Sequence, residues 1–327
     1  MAASPLTKFL DTVLDKAVAP GYSRLGYAAR QAWWPADPPA DALAGKHAVV
    51  TGASSGIGAA ISVGLARLGA TVHVVGRSAE RLEPVADRIR REIPLAEPVV
   101  DECDVSDFDS VRAFAARLGG RTESIQALVH NAGTMSQRRT ETAQGHELAL
   151  ATHVLGPFLL TELLREKLCA ADRARVVWMS SGGMYTKPFT HDLAEDLEFR
   201  QDEYSGTAAY ARSKRMQVVV ARMMSERLAG GDIFVHSMHP GWVDTPGFQD
   251  GLPRFTKLTK PILRTPEQGA DTAVWLCGSP EATVASGLFW HDRRARHTTY
   301  VPAQIEEADD RQILWDYCCE ATGITPA

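Results

Sequence analysis

The residues best placed to do chemistry are a tyrosine and a lysine four positions apart, Tyr210 and Lys214. On a helix this spacing places both side chains on one face. A neighbouring ammonium favours the phenolate, so we expect Lys214 to lower the tyrosine pKa from its usual value of about 10. A phenol tuned in this way exchanges a proton with the oxygen of a carbonyl or alcohol during hydride transfer. On its own, the pair is also typical of an ordinary surface helix.

A glycine-rich turn (Thr-Gly-Ala-Ser-Ser-Gly-Ile-Gly, 51–58) lies between a predicted strand and a predicted helix. Glycines allow a sharp turn and a close approach to a pyrophosphate, and the helix N-terminus offers free N–H groups. Other tight turns also need glycine, but the position in the first strand–helix–strand unit favours a dinucleotide site. The expected cofactor contacts in this turn are Gly52, Ser54, Ser55, Gly56, Ile57 and Gly58.

The second predicted strand ends in Gly76-Arg77 rather than in an acidic residue. A carboxylate here would accept a hydrogen bond from the ribose 2′-OH of NAD(H), whereas an arginine can bind the 2′-phosphate of NADP(H). The alternative is that Arg77 is a solvated cation in the first turn of a helix. We expect NADP(H) as the cofactor.

The elements that must position these residues alternate between short apolar strands and longer helices. Strands are predicted at 47–52, 71–77, near 99, 125–133, 175–181 and 233–241. This alternation predicts an α/β fold, a single-domain Rossmann-type doubly wound parallel sheet. We expect an N-terminal helical extension over 1–42, the Rossmann-type domain over 43–290 and a C-terminal tail over 291–327 that packs on it.

Two segments outside the core pattern allow alternative interpretations. Residues 6–18 carry apolar side chains at helical spacing, which predicts a helix packed on the protein's own body or a peripheral contact with a membrane or partner subunit. The basic run 291–297 (HDRRARH) is typical of a solvated face, or it faces a partner subunit or acidic lipid.

The composition excludes several classes of protein. A net charge of −5 over 327 residues lacks the basic footprint of a nucleic-acid-binding protein. Apolar stretches stay well short of the roughly 20 residues needed to cross a bilayer, and the N-terminus lacks the order of a signal peptide. The five cysteines show no metal-ligand spacing, so we expect reduced thiols, a cytoplasmic protein and no metal site.

Four features together resemble the short-chain dehydrogenase/reductase family over residues 46–280. They are the glycine-rich turn, Asn131-Ala132-Gly133, the strand end Ser180-Ser181 and the Tyr-x-x-x-Lys pair. Within that family, five further stretches resemble dehydrogenase/reductase SDR family member 12-like proteins. So does the segment before the glycine-rich turn that ends at Trp33-Trp34-Pro35, here called the leader (residues 1–35). The stretches are SSGGM (180–184), Tyr210 through QVVV (217–220), MHPGWVDTPG (238–247), QGAD (268–271) and FWHDRR (289–294).

The resemblance implies a role for each matching residue. Ser181, or alternatively Ser180, hydrogen-bonds the substrate oxygen, Tyr210 exchanges the proton, and Lys214 holds the nicotinamide ribose and tunes Tyr210. The other implied cofactor contacts are Asp104 and Val105 near the adenine, Asn131, Ala132 and Gly133 beside its ribose, and Pro240, Gly241, Val243 and Thr245 near the nicotinamide carboxamide. Taken alone, these stretches would be a helix N-cap and two plain turns.

The sequence departs from the family pattern at His153, which stands where most members have the asparagine of N-x-x-G. The resemblance implies that this asparagine helps to hold a water that links the lysine to solvent. His153 could do so through its carbonyl, could relay the proton itself, or could simply pack. We count it among the catalytic residues and expect His153→Asn to leave activity equal or higher.

The segment between Ser181 and Tyr210 is expected to line the substrate mouth, outside the carboxyl ends of the strands. The side chains that predict an apolar pocket are those of Met184, Tyr185, Phe189, Phe199, Trp242 and Phe248. They favour a lipophilic aldehyde, ketone or alcohol as substrate. The alternative from another class is a non-catalytic NADP(H)-binding scaffold or sensor. The family resemblance also implies a homo-oligomer, although the leader and tail could block the usual helix contacts.

Overall fold

The computed structural model describes residues 5–228, 231–251, 253–301 and 304–325, except the side chains of residues 8, 248, 250 and 253–255. The strands are β1 (His47–Thr51), β2 (Thr71–Gly76), β3 (Val99–Glu102), β4 (Ala127–His130), β5 (Ala174–Met179), β6 (Ile233–Met238), β7 (Phe289–His291) and β8 (Arg294–Arg296). The helices are α1 (Pro5–Lys16), α2 (Val18–Tyr22), α3 (Arg24–Gln31), α4 (Gly56–Arg67), α5 (Ala79–Glu92), α6 (Phe108–Gly119), α7 (Leu148–Leu150), α8 (Gly156–Leu163), α9 (Arg165–Cys169), α10 (His191–Glu195), α11 (Gly206–Arg227), α12 (Pro246–Gly251), α13 (Pro253–Thr259), α14 (Pro266–Gly278) and α15 (Ala308–Thr322).

The strands form one sheet in the order β3-β2-β1-β4-β5-β6-β7-β8. Strands β1 to β7 pair in parallel, and β8 is antiparallel to β7. The chain runs outward from β1 to β3 and then returns to β4 on the other side, which opens a crevice at the carboxyl ends of β1 and β4. The predicted doubly wound parallel sheet and its six strands are confirmed.

Both faces of the sheet are covered by helices. Along β5, Val176 packs on one side with residues of α6, α8, α11 and α15, whereas Val177 packs on the other with residues of α4 and α14. Since successive strand residues point to opposite faces, both must be apolar. This is why the strands appear in the sequence as continuous apolar runs rather than alternating ones.

The short hairpin of β7 and β8 extends the sheet to Arg296, beyond the predicted domain end at residue 290. Its turn residues Asp292 and Arg293 both have positive φ angles (51° and 53°), as a tight two-residue hairpin turn requires. The buried Asp292 carboxylate accepts hydrogen bonds from Arg30 (2.7 Å) and Arg264 (2.6 Å). Arg293 pairs with Asp271 (2.6 Å) and Arg296 with Asp11 (2.5 Å), so the prediction that 291–297 is a solvated face is wrong for these two residues, whereas His297 is exposed.

Helix α1 of the leader faces the protein with its charged side. Asp11 and Asp15 are buried, while Leu6, Phe9 and Val13 are exposed. The interpretation that the apolar face packs on the protein's own body is therefore wrong. Ion pairs with Arg30, Arg294 and Arg296 decide which side of α1 points inward.

Candidate active site

The glycine-rich turn lies at the carboxyl end of β1 and leads into α4. Gly52 and Gly56 have φ angles of +66° and +54°, which other residues rarely adopt. A Cβ on Gly58 would lie 2.3 Å from the carbonyl oxygen of Gly52, so a side chain is excluded there. The turn thereby directs the first backbone N–H groups of α4 towards the crevice, as a phosphate-binding turn requires.

Asn131, at the end of β4, supports this turn from the neighbouring strand. Its side-chain amide donates hydrogen bonds to the carbonyl oxygens of Thr51 (3.0 Å) and Gly52 (3.2 Å). A Cβ on Gly52 would lie 2.6 Å from the Cα of Ala132. The Asn-Ala-Gly stretch is thus more than the plain turn that a bare tripeptide would suggest, because it fixes the shape of the glycine-rich turn.

A cavity of about 600 Å³ opens at the carboxyl ends of β2 and β3. Arg77 is exposed at this cavity, and Arg117 donates a hydrogen bond to the carbonyl of Glu102 (2.7 Å) in its wall. Asp104 also lines the cavity, and its carboxylate accepts hydrogen bonds from the backbone N–H (2.9 Å) and the hydroxyl (2.7 Å) of Ser106. Arg77 and Asp104, far apart in the sequence, therefore meet at one cavity.

The segment after β6 closes the other side of the crevice. A Cβ on Gly56 would lie 3.1 Å from the Cγ2 of Thr245, which places this threonine beside the glycine-rich turn. A Cβ on Gly269 would lie 2.6 Å from Val243 and 3.3 Å from Ile57, so these two side chains flank the same point of α14. The predicted contacts after β6 and in the turn are thus brought together.

Tyr210 and Ser181 meet at the carboxyl end of β5. Ser181 follows β5, and its hydroxyl accepts a hydrogen bond from the N–H of Gly183 (3.1 Å). A Cβ on Gly183 would lie 3.5 Å from the Ser181 hydroxyl and 3.9 Å from the Tyr210 ring. The Ser180 hydroxyl instead donates to the carbonyl of Lys214 (2.7 Å), so Ser181 is the serine that borders Tyr210.

The pKa of Tyr210 shifts in the direction opposite to the prediction. Burial raises the pKa of the Tyr210 phenol, and a hydrogen bond with the Ser181 side chain opposes this rise. The Lys214 ammonium lies 5.5 Å from the centre of the Tyr210 ring and donates to the carbonyl of Met179 (2.7 Å). Burial also lowers the pKa of Lys214 to about 7. The expected lowering of the Tyr210 pKa is wrong because desolvation outweighs the hydrogen bond with Ser181.

His153 lies in a π-helical turn (Ala151–Leu155), fully buried, with its ring edge-on to Tyr210 at a centroid distance of 5.5 Å. Its Nε2 accepts a hydrogen bond from the N–H of Thr134 (2.9 Å), so the ring proton is assigned to Nδ1, which lies 2.8 Å from the Ser213 hydroxyl. The His153 carbonyl accepts a hydrogen bond from the amide of Gln217 (2.9 Å).

Burial and the Lys214 charge hold the pKa of His153 well below its usual range, so the ring stays neutral. Because both ring nitrogens are engaged, this geometry supports packing rather than proton relay as the role of the His153 side chain.

The leader contributes a wall of the site that the motifs did not predict. A Cβ on Gly182, next to Ser181, would lie 2.6 Å from the ring of Tyr22. The Tyr22 carbonyl accepts a hydrogen bond from the N–H of Trp242 (2.8 Å). Arg264 donates to the carbonyls of Ser23 (3.2 Å) and Pro240 (3.1 Å) and so joins the leader to the segment after β6. In the sequence, the two consecutive glycines after Ser181 are the feature that could have indicated this close approach of another segment.

The predicted apolar pocket is only partly supported by these side chains. Met184, Phe189 and Phe199 are 0–5 % exposed and belong to the protein interior, so their assignment to a substrate pocket is wrong. Phe199 is also covered by the guanidinium of Arg212, 4.3 Å from its ring centre. Tyr185 and Trp242 are half-buried. The side chain of Phe248 lies outside the described residues.

Comparison with known proteins agrees with this geometry. The family model described as short chain dehydrogenase matches residues 46–191. Human dehydrogenase/reductase SDR family member 12 is 34% identical over 277 residues, which cover 83% of this chain and 85% of that protein. Human retinol dehydrogenase 11 is 31% identical, covering 86% of this chain and 87% of that protein.

A solved structure of a protein from Mycobacterium paratuberculosis superposes with a TM-score of 0.69 at 28% identity, covering 89% of this chain and 97% of that chain. The shared sheet, the matched family model and the identity over most of both chains lead to one conclusion. The chain belongs to the short-chain dehydrogenase/reductase family of oxidoreductases.

Proposed function

We propose that the protein is an NADP(H)-dependent oxidoreductase that interconverts the carbonyl and alcohol forms of a lipophilic substrate, with Tyr210 as acid and base. The observation that carries this proposal is the contact between Tyr210 and Ser181 at the carboxyl end of β5, with Lys214 one helical turn away. Membership of an oxidoreductase family and a relative named for retinol, a lipophilic alcohol, support the reaction and the substrate class.

Several features of the crevice suit a dinucleotide. Gly52 and Gly58 allow the turn to be tight, because a Cβ on either would clash with Ala132 or with the Gly52 carbonyl oxygen. The N-terminus of α4 that follows this turn suits a pyrophosphate. Arg77 would hold the 2′-phosphate, and when bound the cofactor supplies or accepts the hydride. The remaining contacts would come from Asp104 and Val105 at the adenine, Asn131–Gly133 at its ribose, and Pro240, Gly241, Val243 and Thr245 at the nicotinamide.

Proton transfer falls to the side chains of this chain. In reduction, the Tyr210 hydroxyl donates its proton to the carbonyl oxygen while the Ser181 hydroxyl donates a hydrogen bond to the same oxygen. Because burial raises the pKa of Tyr210, the phenol is held in its protonated form. The protonated phenol is the form that donates the proton in the reduction.

NADPH oxidation measured with matched panels of lipophilic and small polar carbonyls tests the proposal. We expect turnover of lipophilic aldehydes or ketones, with a higher kcat/KM than for the small polar compounds. Faster turnover of the polar panel would contradict the substrate class. NADPH binding without turnover of any compound would instead favour a non-catalytic scaffold or sensor.

A further inference from the structure

Helix α1 is amphipathic, and its polar side packs against the rest of the protein. Leu6 and Phe9 are 66% and 65% exposed, whereas Asp11 is 2% exposed. A helix on the surface of a globular protein normally does the reverse and buries its apolar stripe. An apolar face left outside in this way marks a surface that contacts another phase or molecule.

The orientation of α1 is fixed by ion pairs rather than by chance. Asp11 accepts hydrogen bonds from Arg30 (3.1 Å), Arg294 (2.7 Å) and Arg296 (2.9 Å). Asp15 pairs with Arg296 and accepts a hydrogen bond from the hydroxyl of Tyr300. Rolling the helix to bury Leu6 and Phe9 would leave buried charges unpaired, which is strongly unfavourable.

The exposed charges on residues 5–25 are positive. Between residues 5 and 25 the acidic residues are Asp11 and Asp15, both of which are buried. Lys16 and Arg24 are exposed. The outer face of the leader therefore combines apolar side chains with cations, the combination that favours an anionic lipid surface.

A polar cleft of about 460 Å³ lies beside this face, between α1 and the residues of β8 and the loop after it. Its lining includes Lys16, Arg294 and Arg296 against Asp11 and Asp15, which gives three cations to two carboxylates. Tyr300, also in the lining, is 42% exposed at its edge. Arg294 and Arg296 are paired with Asp11, whereas Lys16 is exposed, so Lys16 is the cation that suits the phosphate of a lipid headgroup.

We propose that α1 lies in the interfacial layer of a phospholipid bilayer containing anionic lipids, with Leu6, Phe9 and Val13 among the acyl chains and the cleft at the headgroups. None of the described helices is long and apolar enough to span a membrane. A second copy of the chain is the other occupant of such a face, but in a two-fold pairing it would present the same cations and no exposed carboxylate from residues 5–25 to pair with them. The proposal does not depend on the catalytic assignment.

Co-flotation with phosphatidylcholine vesicles, with and without phosphatidylglycerol, tests this directly. We expect binding to the anionic vesicles and at least about tenfold weaker binding for Phe9→Asp, since burial of one phenylalanine contributes that much or more. The matched control is Leu95→Asp, because Leu95 is 96% exposed just before β3, at the opposite edge of the sheet. That variant should bind like the unmodified chain.

A charge-reversal variant distinguishes electrostatic attraction to anionic lipids from adsorption through apolar side chains alone. Lys16→Glu should weaken binding to the anionic vesicles, whereas Arg91→Glu, an exposed cation at the end of α5, should not. Equal binding of Phe9→Asp and the unmodified chain would overturn the proposal. So would failure of the unmodified chain to float, or a concentration-dependent dimer in solution that Phe9→Asp dissociates.

Discussion

Tyr22 of the leader lies directly against Gly182, the residue that follows Ser181, so that a methyl group on Gly182 would come within 2.6 Å of the Tyr22 ring. The same tyrosine accepts a hydrogen bond from Trp242 through its carbonyl. The N-terminal helices therefore pack against both the loop after β5 and the segment after β6. Geometry at Ser181 depends on residues almost 160 positions earlier in the chain.

Gly182→Ala should displace either Tyr22 or the Ser181 loop and lower kcat/KM by about tenfold or more, since small misplacements of catalytic groups are costly. Adding Tyr22→Ala removes the clashing ring and should restore part of the lost activity. Gly119→Ala is the control, because its methyl would lie 3.8 Å from Lys167 in ordinary contact. No recovery in the double variant would show that the clash is not the cause.

His153→Asn should lower the free energy of unfolding by about 1–3 kcal/mol, because a buried polar partner of Thr134 or Ser213 is lost. Denaturant unfolding measures this loss. Since the pKa of His153 lies well below its usual range, the ring is neutral at working pH. The pH profile of kcat should therefore keep its shape in the variant. A lost inflection would contradict the packing role and point to proton relay.

The lowered pKa of Lys214 predicts that the free energy of unfolding depends on pH. Burial lowers the pKa of Lys214 to about 7, whereas the unfolded lysine keeps its usual value near 10.5. Above about pH 7 the unfolded chain then binds more protons at this site, so the free energy of unfolding contributed by Lys214 rises with pH. It reaches its full value above the unfolded pKa and is lost as pH falls towards 7.

Denaturant titrations of the unmodified chain and of Lys214→Met between about pH 7 and pH 8.5, below the usual thiol range, isolate this effect. The slope of stability against pH should be smaller in the variant. Parallel slopes would show that Lys214 keeps an ordinary pKa in the folded protein.

The proposed contact between Arg77 and the 2′-phosphate predicts that the protein prefers NADPH to NADH. Arg77→Ala should weaken NADPH binding by about ten- to a hundredfold, because a charge-assisted contact to the 2′-phosphate is lost, and leave NADH binding nearly unchanged. Arg81→Ala, which removes an exposed cation in the first turn of α5, is the matched control. Fluorescence titration of the unmodified chain and both variants with NADPH and NADH gives six dissociation constants. Equal losses for NADPH and NADH would rule out a 2′-phosphate contact.

The sequence predicts well those features of the fold that depend on residues close together in the chain. The strands are buried on both faces, so Val176 and Val177 are both apolar, and the run identifies β5 without further information. The turn glycines are likewise fixed by local backbone geometry. Tyr210 and Lys214 share a helix, so their proximity follows from their spacing.

What the sequence did not predict depends on contacts between distant segments. The inward side of α1 is chosen by Arg294 and Arg296, more than 280 residues away. Strands β7 and β8 have three residues each, too few to show a period. Phe189 could belong to a pocket or to the core, since an apolar side chain suits both. The direction of the Tyr210 pKa shift depends on burial, which spacing alone does not reveal.

The most direct test of the account is the single-turnover rate of Tyr210→Phe, measured with saturating NADPH and a carbonyl that the unmodified enzyme reduces. Tyr185→Phe is the matched control, since the Tyr185 hydroxyl donates to the carbonyl of His297 (2.7 Å) rather than to Ser181. We expect Tyr210→Phe to bind NADPH normally and to lose about a hundred- to ten-thousandfold in rate, while Tyr185→Phe stays within a few-fold of the unmodified enzyme. A Tyr210→Phe enzyme that retains most of its rate would contradict the assignment.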